Sequence, residues 1–185
     1  MQFIETQISG VKIIVPRLFL DDRGYFYESF RGDIMDINEI SSSFIQDNQV
    51  GSKNKVIRGL HYQLKYPQAK LVSVSVGKVL DVAVDIRRGS PTFGDHISII
   101  LSDENHKMLF IPEGFAHGYS VLSDTAIFQY KCTNIYHKED QYGIRWDDHE
   151  LKIDWQNSNP ILSQKDLNLP YLKNIKVNHL PIYEF

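Results

Sequence analysis

Two short segments carry the residues whose types are suited to chemistry. One is Arg58–Gln63, which contains His61, and the other is Pro112–Gly118, with His117 near its end. A histidine can act as a general base, because its unperturbed pKa lies near neutral pH, or it can bind a metal through a ring nitrogen. A histidine satisfied by hydrogen bonds in the core is the alternative for each. The surrounding residues must decide among these roles.

The second segment has the pattern Pro-x-Gly-x-x-His, which resembles the downstream motif of the cupin superfamily, whose small jelly-roll barrels bind ligands in their interior. Metal-binding cupins also have a His-x-His pair followed by a glutamate. Here Gln63 stands two positions after His61, and no glutamate follows at the required spacing. Only His61 and His117 remain as nitrogen ligands, fewer than a catalytic metal usually needs. The sequence predicts no bound metal, with a metal-dependent cupin oxygenase as an alternative.

Two strand-like segments aim further polar groups inward. In Leu71–Val76 valines alternate with serines, and extending the same period backwards places Lys70 on the valine face. In Ala126–Thr133 the apolar face includes Tyr130. A lysine and a tyrosine in an apolar interior cost free energy unless something polar lies there. A ligand cavity inside a barrel, shared with His61, explains this pattern.

The secondary structure that must position these groups is predicted to consist mainly of strands. Runs rich in Val, Ile, Phe and Tyr are separated by turn residues at Lys12–Val15, Tyr25–Phe30, Ser43–Gln46, Leu71–Val76, Val79–Ile86, Ile97–Leu101, Met108–Ile111, Gly118–Leu122 and Ala126–Thr133. We expect one helix at Asp33–Ile40 and a hairpin turn at Gly77 and Lys78. No linker or repeat divides the chain. This pattern predicts one domain over residues 1–185, mainly all-β and built as an antiparallel sandwich or barrel with short peripheral helices. The resemblance of the second segment to the cupins implies that this barrel is a cupin-type jelly roll.

The composition narrows the function classes. Of 185 residues, 20 are basic and 23 acidic, which gives a formal net charge of -3 and no basic run for nucleic acid. The single cysteine, Cys132, excludes an internal disulfide and a cysteine-rich zinc site. Neither a signal peptide nor an apolar run of membrane-spanning length is visible. We expect a cytoplasmic protein that binds neither nucleic acid nor membranes.

Several longer blocks follow one another along nearly the whole chain: Asp22–Glu28, Phe44–Asn48, Ile57–Gln63, Asp81–Arg87, Ser90–Gly94, Ile111–Gly118, Tyr130–Thr133, Asp154–Trp155 and Leu162–Asp166. Together they resemble the dTDP-4-dehydrorhamnose 3,5-epimerase family. The resemblance implies a homodimeric isomerase of dTDP-rhamnose and polysaccharide biosynthesis that needs no cofactor. Its substrate would be a nucleotide-linked 4-keto-6-deoxyhexose, inverted at C3 and C5, as in the conversion of dTDP-4-dehydro-6-deoxyglucose to dTDP-4-dehydrorhamnose.

The resemblance implies four catalytic residues. His61 is the base, paired with Asp166, which holds its tautomer and raises its basicity. Tyr130 is the acid on the opposite face of the sugar, and Lys70 is a cation near the C4 oxygen. A ketone at C4 acidifies the protons on C3 and C5, so a base and an acid on opposite faces produce inversion. Taken alone, Asp166 could equally be a solvated loop residue.

The resemblance also implies substrate-binding residues. Contacts with the diphosphate or the sugar are expected from three basic residues, Arg23, Arg58 and Lys165. The expected polar pocket residues are Glu28, Gln46, Asn48 and His117. Tyr136 is expected to stack on the nucleobase. Gln141 stands where some relatives have a pocket glutamate, which leaves the nucleotide preference among dTDP, GDP and CDP open.

Other functions remain open on the sequence alone. Relatives within the fold invert only C3 or only C5, or act on other nucleotide-linked 4-keto sugars such as a GDP-4-keto-heptose. A ketoisomerase is less favoured, because Tyr130 occupies the acid position. A non-catalytic sugar-nucleotide-binding cupin would not need all four catalytic residues together. The alternating apolar run Tyr25–Phe30 is compatible with an edge strand exchanged between the subunits of a homodimer.

Overall fold

The structure, a computed structural model, describes residues 1–40 and 43–183, and these residues form mainly β-strands. The strands are β1 Gln2–Glu5, β2 Lys12–Val15, β3 Phe19–Asp21, β4 Gly24–Phe26, β5 Gln46–Lys53, β6 Ile57–Gln63, β7 Lys70–Val76, β8 Lys78–Asp85, β9 His96–Ser102, β10 Met108–Ile111, β11 Phe115–Val121, β12 Thr125–Cys132 and β13 Gln141–Gly143. The helices are α1 Gly32–Ile37 and α2 Gln164–Leu167, with 3₁₀ helices at Lys138–Asp140, Leu172–Asn174 and Val177–His179.

Two antiparallel sheets enclose the interior of a barrel. The six-stranded sheet has the order β1-β2-β10-β7-β12-β5, and the five-stranded sheet has the order β13-β6-β11-β8-β9. In the first sheet Tyr130 lies between Val72 and Asn48 of the neighbouring strands. In the second, His117 lies directly opposite His61. Strands distant in sequence are therefore paired, and the predicted mainly-β, cupin-type fold is confirmed.

Most of the predicted strands are confirmed. The strand at Met108–Ile111, for example, begins and ends at the predicted residues. The strand expected at Ser43–Gln46 is misplaced, because β5 begins only at the last of these residues. β5 has few apolar side chains and pairs with β12 along its whole length, so its own pattern gave no strand signal. The strand expected at Tyr25–Phe30 stops early, at the end of β4.

Two further expectations about local structure are wrong. No hairpin forms at Gly77, because β7 and β8 lie in different sheets and the chain crosses between the sheets at this glycine. Gly77 has a φ of 81°, and a Cβ there would collide with the carbonyl oxygen of Thr125. The glycine thus permits a change of sheet where a turn was expected. The helix expected at Asp33–Ile40 is shorter, because Asn38 lies at its C-cap.

The main core lies between the two sheets and follows the alternation of the strands. Val72 and Val74 of β7, Phe128 of β12 and Ala83 of β8 are buried there. These are the faces on which the sequence placed Lys70 and Tyr130. The predicted inward faces of β7 and β12 are therefore confirmed, with one exception. The last residue of β7, Val76, is exposed instead of buried.

β8 is buried on both of its faces. Val79 and Ala83 contribute to the core between the sheets, whereas Val82 belongs to a second cluster on the outer face of the five-stranded sheet. That second cluster includes Trp155 and Leu172 of the C-terminal segment. The chain after β13 therefore covers this outer face, and α2 lies within the covering segment.

The β3–β4 hairpin stands apart from both sheets and exposes apolar side chains. The exposed fractions are 49% for Phe19, 76% for Leu20, 57% for Tyr25 and 65% for Phe26. Four neighbouring apolar side chains in water are unfavourable unless another surface covers them. Among the described residues, no helix has the length and apolar character needed to cross a lipid bilayer.

Candidate active site

His61 and Asp166 form a hydrogen-bonded pair across 105 positions of sequence. His61 Nε2 lies 2.6 Å from Asp166 Oδ1. A carboxylate only accepts hydrogen bonds, so Nε2 carries the proton and Nδ1 keeps a free lone pair. Burial alone would raise the pKa of Asp166, but the interaction with His61 and the hydrogen bonds with Ser163 and the backbone of Gly59 together hold that pKa below the ordinary carboxyl value. The pair is suited to general-base chemistry at Nδ1.

The helix α2 positions Asp166. Ser163 caps the helix, and its hydroxyl accepts a hydrogen bond from the backbone N–H of Asp166 at 3.1 Å. Just before the cap, the backbone of Ile161 donates to the Lys55 carbonyl at 2.8 Å and accepts from the Ile57 N–H at 3.0 Å. Asp166 is 4% exposed, so the alternative of a solvated loop residue is wrong.

A bulge in β6 explains why Arg58 and His61 share one face although they are three positions apart. His61 pairs with His117 and Arg58 pairs with Tyr119, so three steps along β6 match two steps along β11. Gly59 lies in the bulge with a φ of 111°, and a Cβ there would come within 2.5 Å of the backbone of the facing strand. Both side chains therefore point into the barrel.

A cavity of about 690 Å³ opens inside the barrel. Its wall includes eight of the residues predicted for catalysis and binding: Arg58, His61, Lys70, His117, Tyr130, Tyr136, Lys165 and Asp166. The apolar part of the wall includes Val50, Ile57 and Phe128. A mostly apolar cavity with a few convergent polar groups is typical of a small-molecule site.

Lys70 and Tyr130 line this cavity, and burial shifts their pKa values in opposite directions. Burial lowers the pKa of Lys70 below the ordinary lysine value, and the neighbouring Cys132 and Asp81 oppose this shift without cancelling it. Burial raises the pKa of Tyr130, and Arg58 opposes that shift only in part. Tyr130 therefore keeps its phenolic proton at neutral pH and can donate it.

Hydrogen bonds hold the polar rim of the cavity together. The Tyr136 hydroxyl donates to Gln141 Oε1 at 2.7 Å, and the Lys165 ammonium donates to the same oxygen. The Tyr136 ring is 45% exposed, as a stacking platform for a base should be. Lys138 also lines the cavity and was not predicted, because a lysine in a polar loop carries no distinguishing pattern.

A second histidine–carboxylate pair lies deeper in the barrel. His117 Nε2 lies 2.9 Å from Asp81 Oδ2 and 3.2 Å from Oδ1, and Asp81 is fully buried. Asp81 was not predicted as a site residue. The alternation of β8 could have found it, because Asp81 shares its face with Val79 and Ala83, where a carboxylate is out of place.

Four predicted binding residues do not line this cavity: Arg23, Glu28, Gln46 and Asn48. Arg23 lies in the β3–β4 hairpin with its side chain 89% exposed and paired with a neighbouring aspartate. Gln46 supports the rim from outside, because its Oε1 accepts from the Tyr136 N–H at 2.8 Å and its Nε2 donates to Asn48 at 3.0 Å. Contacts of these residues with a substrate stay predictions.

Within residues 1–40 and 43–183, no group of three His, Cys, Asp or Glu side chains is arranged to hold a metal ion. Each histidine of the cavity is instead hydrogen-bonded to a carboxylate. A histidine hydrogen-bonded to a carboxylate is suited to proton transfer.

The fold and the site together define a cupin-type enzyme whose cavity contains side chains suited to proton transfer. A sequence profile of the dTDP-4-dehydrorhamnose 3,5-epimerase family matches residues 5–174. The chain belongs to this family, whose members are isomerases.

Individual relatives agree with this assignment. The dTDP-4-dehydrorhamnose 3,5-epimerase of Escherichia coli K12 is 51% identical over 172 residues, which cover 91% of this chain and 93% of that protein. The enzyme of the same name from Methanothermobacter thermautotrophicus is 48% identical over 170 residues, covering 90% of this chain and 92% of its own. The dTDP-6-deoxy-D-glucose-3,5-epimerase of Legionella pneumophila, solved with dTDP-4-keto-L-rhamnose, superimposes with a TM-score of 0.96 at 48% identity, covering 100% of this chain and 99% of that one.

Proposed function

We propose that this protein inverts C3 and C5 of dTDP-4-dehydro-6-deoxyglucose and thereby forms dTDP-4-dehydrorhamnose. The observation that carries the proposal is the His61–Asp166 pair, 2.6 Å apart, on the wall of a cavity that also contains Lys70 and Tyr130. The family and the dTDP-4-keto-L-rhamnose bound to the Legionella enzyme support the choice of substrate.

Proton removal is the first step. The C4 ketone acidifies the neighbouring C–H bonds, and His61 Nδ1 takes the proton from C3 or C5. Asp166 accepts the hydrogen bond from Nε2, which fixes the ring and stabilises the imidazolium that forms. The electron pair of the broken C–H bond moves into the ring, and the C4 oxygen becomes an enolate oxygen. Lys70 in its ammonium form stabilises that negative charge.

Inversion follows when a proton returns to the same carbon from the opposite face. Tyr130 supplies it, because burial keeps its phenol protonated at neutral pH. After one inversion His61 has gained a proton and Tyr130 has lost one, so His61 must release its proton to solvent and Tyr130 must take one up before the next inversion. The same cycle at the other carbon completes the reaction.

Basic side chains and an aromatic ring at the mouth of the cavity are suited to bind the nucleoside diphosphate. Arg58, Lys138 and Lys165 are cations on the wall at or near the surface, where a doubly charged diphosphate can lie. Tyr136 offers an exposed ring for stacking on the thymine base. The sugar then extends inward to the four catalytic residues.

We also infer that the functional form is a homodimer. The exposed apolar residues of the β3–β4 hairpin favour burial against a second copy. Arg23 lies in the same hairpin, outside the cavity of its own chain. A hairpin packed on the partner would carry Arg23 and Glu28 towards the partner's cavity, in agreement with their predicted contact with substrate.

The proposed reaction uses no metal and no organic cofactor, since every proton transfer is assigned to a side chain. Full activity should therefore survive exhaustive chelation followed by buffer exchange. A loss of turnover that one added divalent ion restores would contradict this part of the proposal.

Incubation with dTDP-4-dehydro-6-deoxyglucose in deuterated water tests the function. The proposal predicts deuterium at both C3 and C5, with the configuration inverted at both, and none in dTDP-glucose, which has no ketone. Deuterium at one carbon only would indicate a monoepimerase. The GDP and CDP sugars, tested in parallel, should react more slowly. No exchange with the dTDP sugar would overturn the proposal.

A further inference from the structure

Gln63 stands where the metal-binding cupins have the second histidine of their His-x-His pair, and the mechanism proposed above gives it no task. It is the last residue of β6, two positions after His61, and it is 5% exposed. A buried amide is costly unless its N–H groups and its oxygen find hydrogen-bond partners. The partners of Gln63 therefore indicate what it does.

The side chain of Gln63 joins two neighbouring loops, one of which carries Tyr136. Its Nε2 donates to the carbonyl oxygens of Tyr66 at 2.7 Å and Ile135 at 3.1 Å, and its Oε1 accepts from the His137 N–H at 2.7 Å. Only one orientation of the amide satisfies all three backbone groups. Two of the three bonds thus hold the backbone on either side of Tyr136.

Two further glutamines hold the same loop. The Asn134 carbonyl accepts from Gln68 Nε2 at 2.8 Å, and the Tyr136 N–H donates to Gln46 Oε1 at 2.8 Å. With the bonds from Gln63, each of four consecutive residues of the loop has a backbone group bonded to a glutamine side chain. This loop lacks the regular backbone bonds of a helix or strand, so the glutamines fix its path.

The ring of Tyr136 depends on this loop, because a ring that is 45% exposed has little packing to hold it. Its hydroxyl donates to Gln141 Oε1 at 2.7 Å, which fixes the far end of the side chain, and the loop backbone fixes the near end. A stacking ring binds more tightly when it is already held in the bound orientation, since ordering a free side chain costs conformational entropy.

We propose that Gln63 and Gln68 are positioning residues of the nucleotide subsite, whose amides fix the loop around Tyr136 and hold its ring ready to stack on the nucleobase. The proposal rests on the function proposed above, which places the base on that ring. At the position where a metal-binding cupin has a histidine ligand, this chain has an amide that supports the nucleotide-binding loop.

Calorimetric titration with dTDP tests the proposal in a double-variant cycle. Tyr136→Ala should weaken binding about tenfold, in keeping with the usual contribution of a base stacked on an aromatic ring. Gln63→Ala should weaken it about fivefold in the wild-type background, but less than about twofold in Tyr136→Ala, because Gln63 acts through that ring. In turnover assays the loss should raise KM and leave kcat nearly unchanged.

The matched control is Gln129→Ala. The side chain of Gln129 also bonds within the protein, since its Nε2 donates to Gln49 Oε1 at 3.1 Å, but neither glutamine lines the cavity. Its loss should leave the affinity for dTDP unchanged.

Gln68→Ala takes the place of Gln63→Ala if the latter does not fold, because Gln68 is only half-buried and its amide bonds the loop at Asn134. Its loss should weaken dTDP binding about threefold, again only when Tyr136 is present. An affinity equal to that of the wild type, or a loss that adds to that of Tyr136→Ala, would overturn the proposal. A wild type that binds dTDP without epimerising the sugar would contradict the proposed function alone, whereas one that does not bind dTDP would overturn both.

Discussion

At the scale of single residues, one physical cause prepares several groups in different ways. Burial lowers the pKa of Lys70 and raises that of Tyr130, because in each case it disfavours the charged form. Asp166 is also buried, yet its pKa falls, because its interaction with His61 and the hydrogen bonds with Ser163 and the backbone of Gly59 together outweigh the loss of solvation. The partners of each group, rather than burial alone, therefore decide whether it can act as acid, base or cation.

Arg58 gives a prediction at this scale. Its guanidinium lines the cavity and donates to Ser52 Oγ at 3.1 Å, which holds it at the mouth. Removing a charged hydrogen-bond partner commonly costs about 1.5–3 kcal/mol, so Arg58→Ala should weaken dTDP binding roughly tenfold or more in calorimetric titration. Lys173→Ala, which removes an exposed cation paired with Glu150, should leave that affinity unchanged. Equal affinities of Arg58→Ala and the wild type would count against a diphosphate contact.

At the scale of elements, small irregularities bring the site together. The β6 bulge turns both Arg58 and His61 inward, and the Ser163 cap ends an extended segment just where Asp166 is needed. Neither element is long or strongly patterned. Their positions depend on pairing with strands far away in sequence, so local propensity could not reveal them.

Gly59 tests the importance of the bulge. A Cβ at this residue would meet the backbone of Gly118 at 2.5 Å, and the φ of 111° is unfavourable for any side chain. Gly59→Ala should therefore destabilise the protein by about 2 kcal/mol or more and impair activity by displacing both neighbours. Gly51→Ala is the matched control, because nothing lies within 4 Å of a Cβ there. Urea denaturation that shows both variants as equally stable would refute the role of the bulge.

At the scale of the whole molecule, the residues proposed for catalysis come from strands of both sheets and from the C-terminal segment that covers one of them. His61, Lys70 and Tyr130 lie on β6, β7 and β12, whereas Asp166 lies on α2, within the C-terminal segment that covers the outer face of the five-stranded sheet. The exposed apolar side chains of the β3–β4 hairpin are the feature on which the proposed homodimer rests.

Mixing of inactive variants tests the proposed dimer. If Arg23 reaches the partner's cavity, a dimer of Arg23→Ala and His61→Asn subunits contains one complete site. An equal mixture that exchanges subunits should then recover about a quarter of the wild-type activity, since half of the dimers are mixed and each has one working site. A mixture of His61→Asn and Asp166→Asn should recover none, because both changes affect the same pair. Failure of the first mixture despite proven subunit exchange would place Arg23 outside the partner's site.

The sequence predicted the parts of this site that follow regular alternation or contiguous motifs. Lys70 and Tyr130 were placed inward by the period of their strands, and His61 and His117 by their motifs. The sheet crossing at Gly77 was missed, because a glycine that permits a turn looks the same in sequence whether it joins paired strands or different sheets. Asp81 was missed, although its position in β8 between apolar residues, on the face of Val79 and Ala83, could have identified it.

The central claim is that His61 removes the protons from C3 and C5 and that Tyr130 returns them from the other face. The most direct test is deuterium incorporation from solvent, followed by nuclear magnetic resonance for His61→Asn and Tyr130→Phe. His61→Asn should show neither epimerisation nor incorporation, because no enolate forms. Tyr130→Phe should incorporate deuterium slowly with retained configuration, while inversion falls by about 10²–10⁴. If His61→Asn exchanges deuterium at the wild-type rate, another residue is the base and the account is wrong.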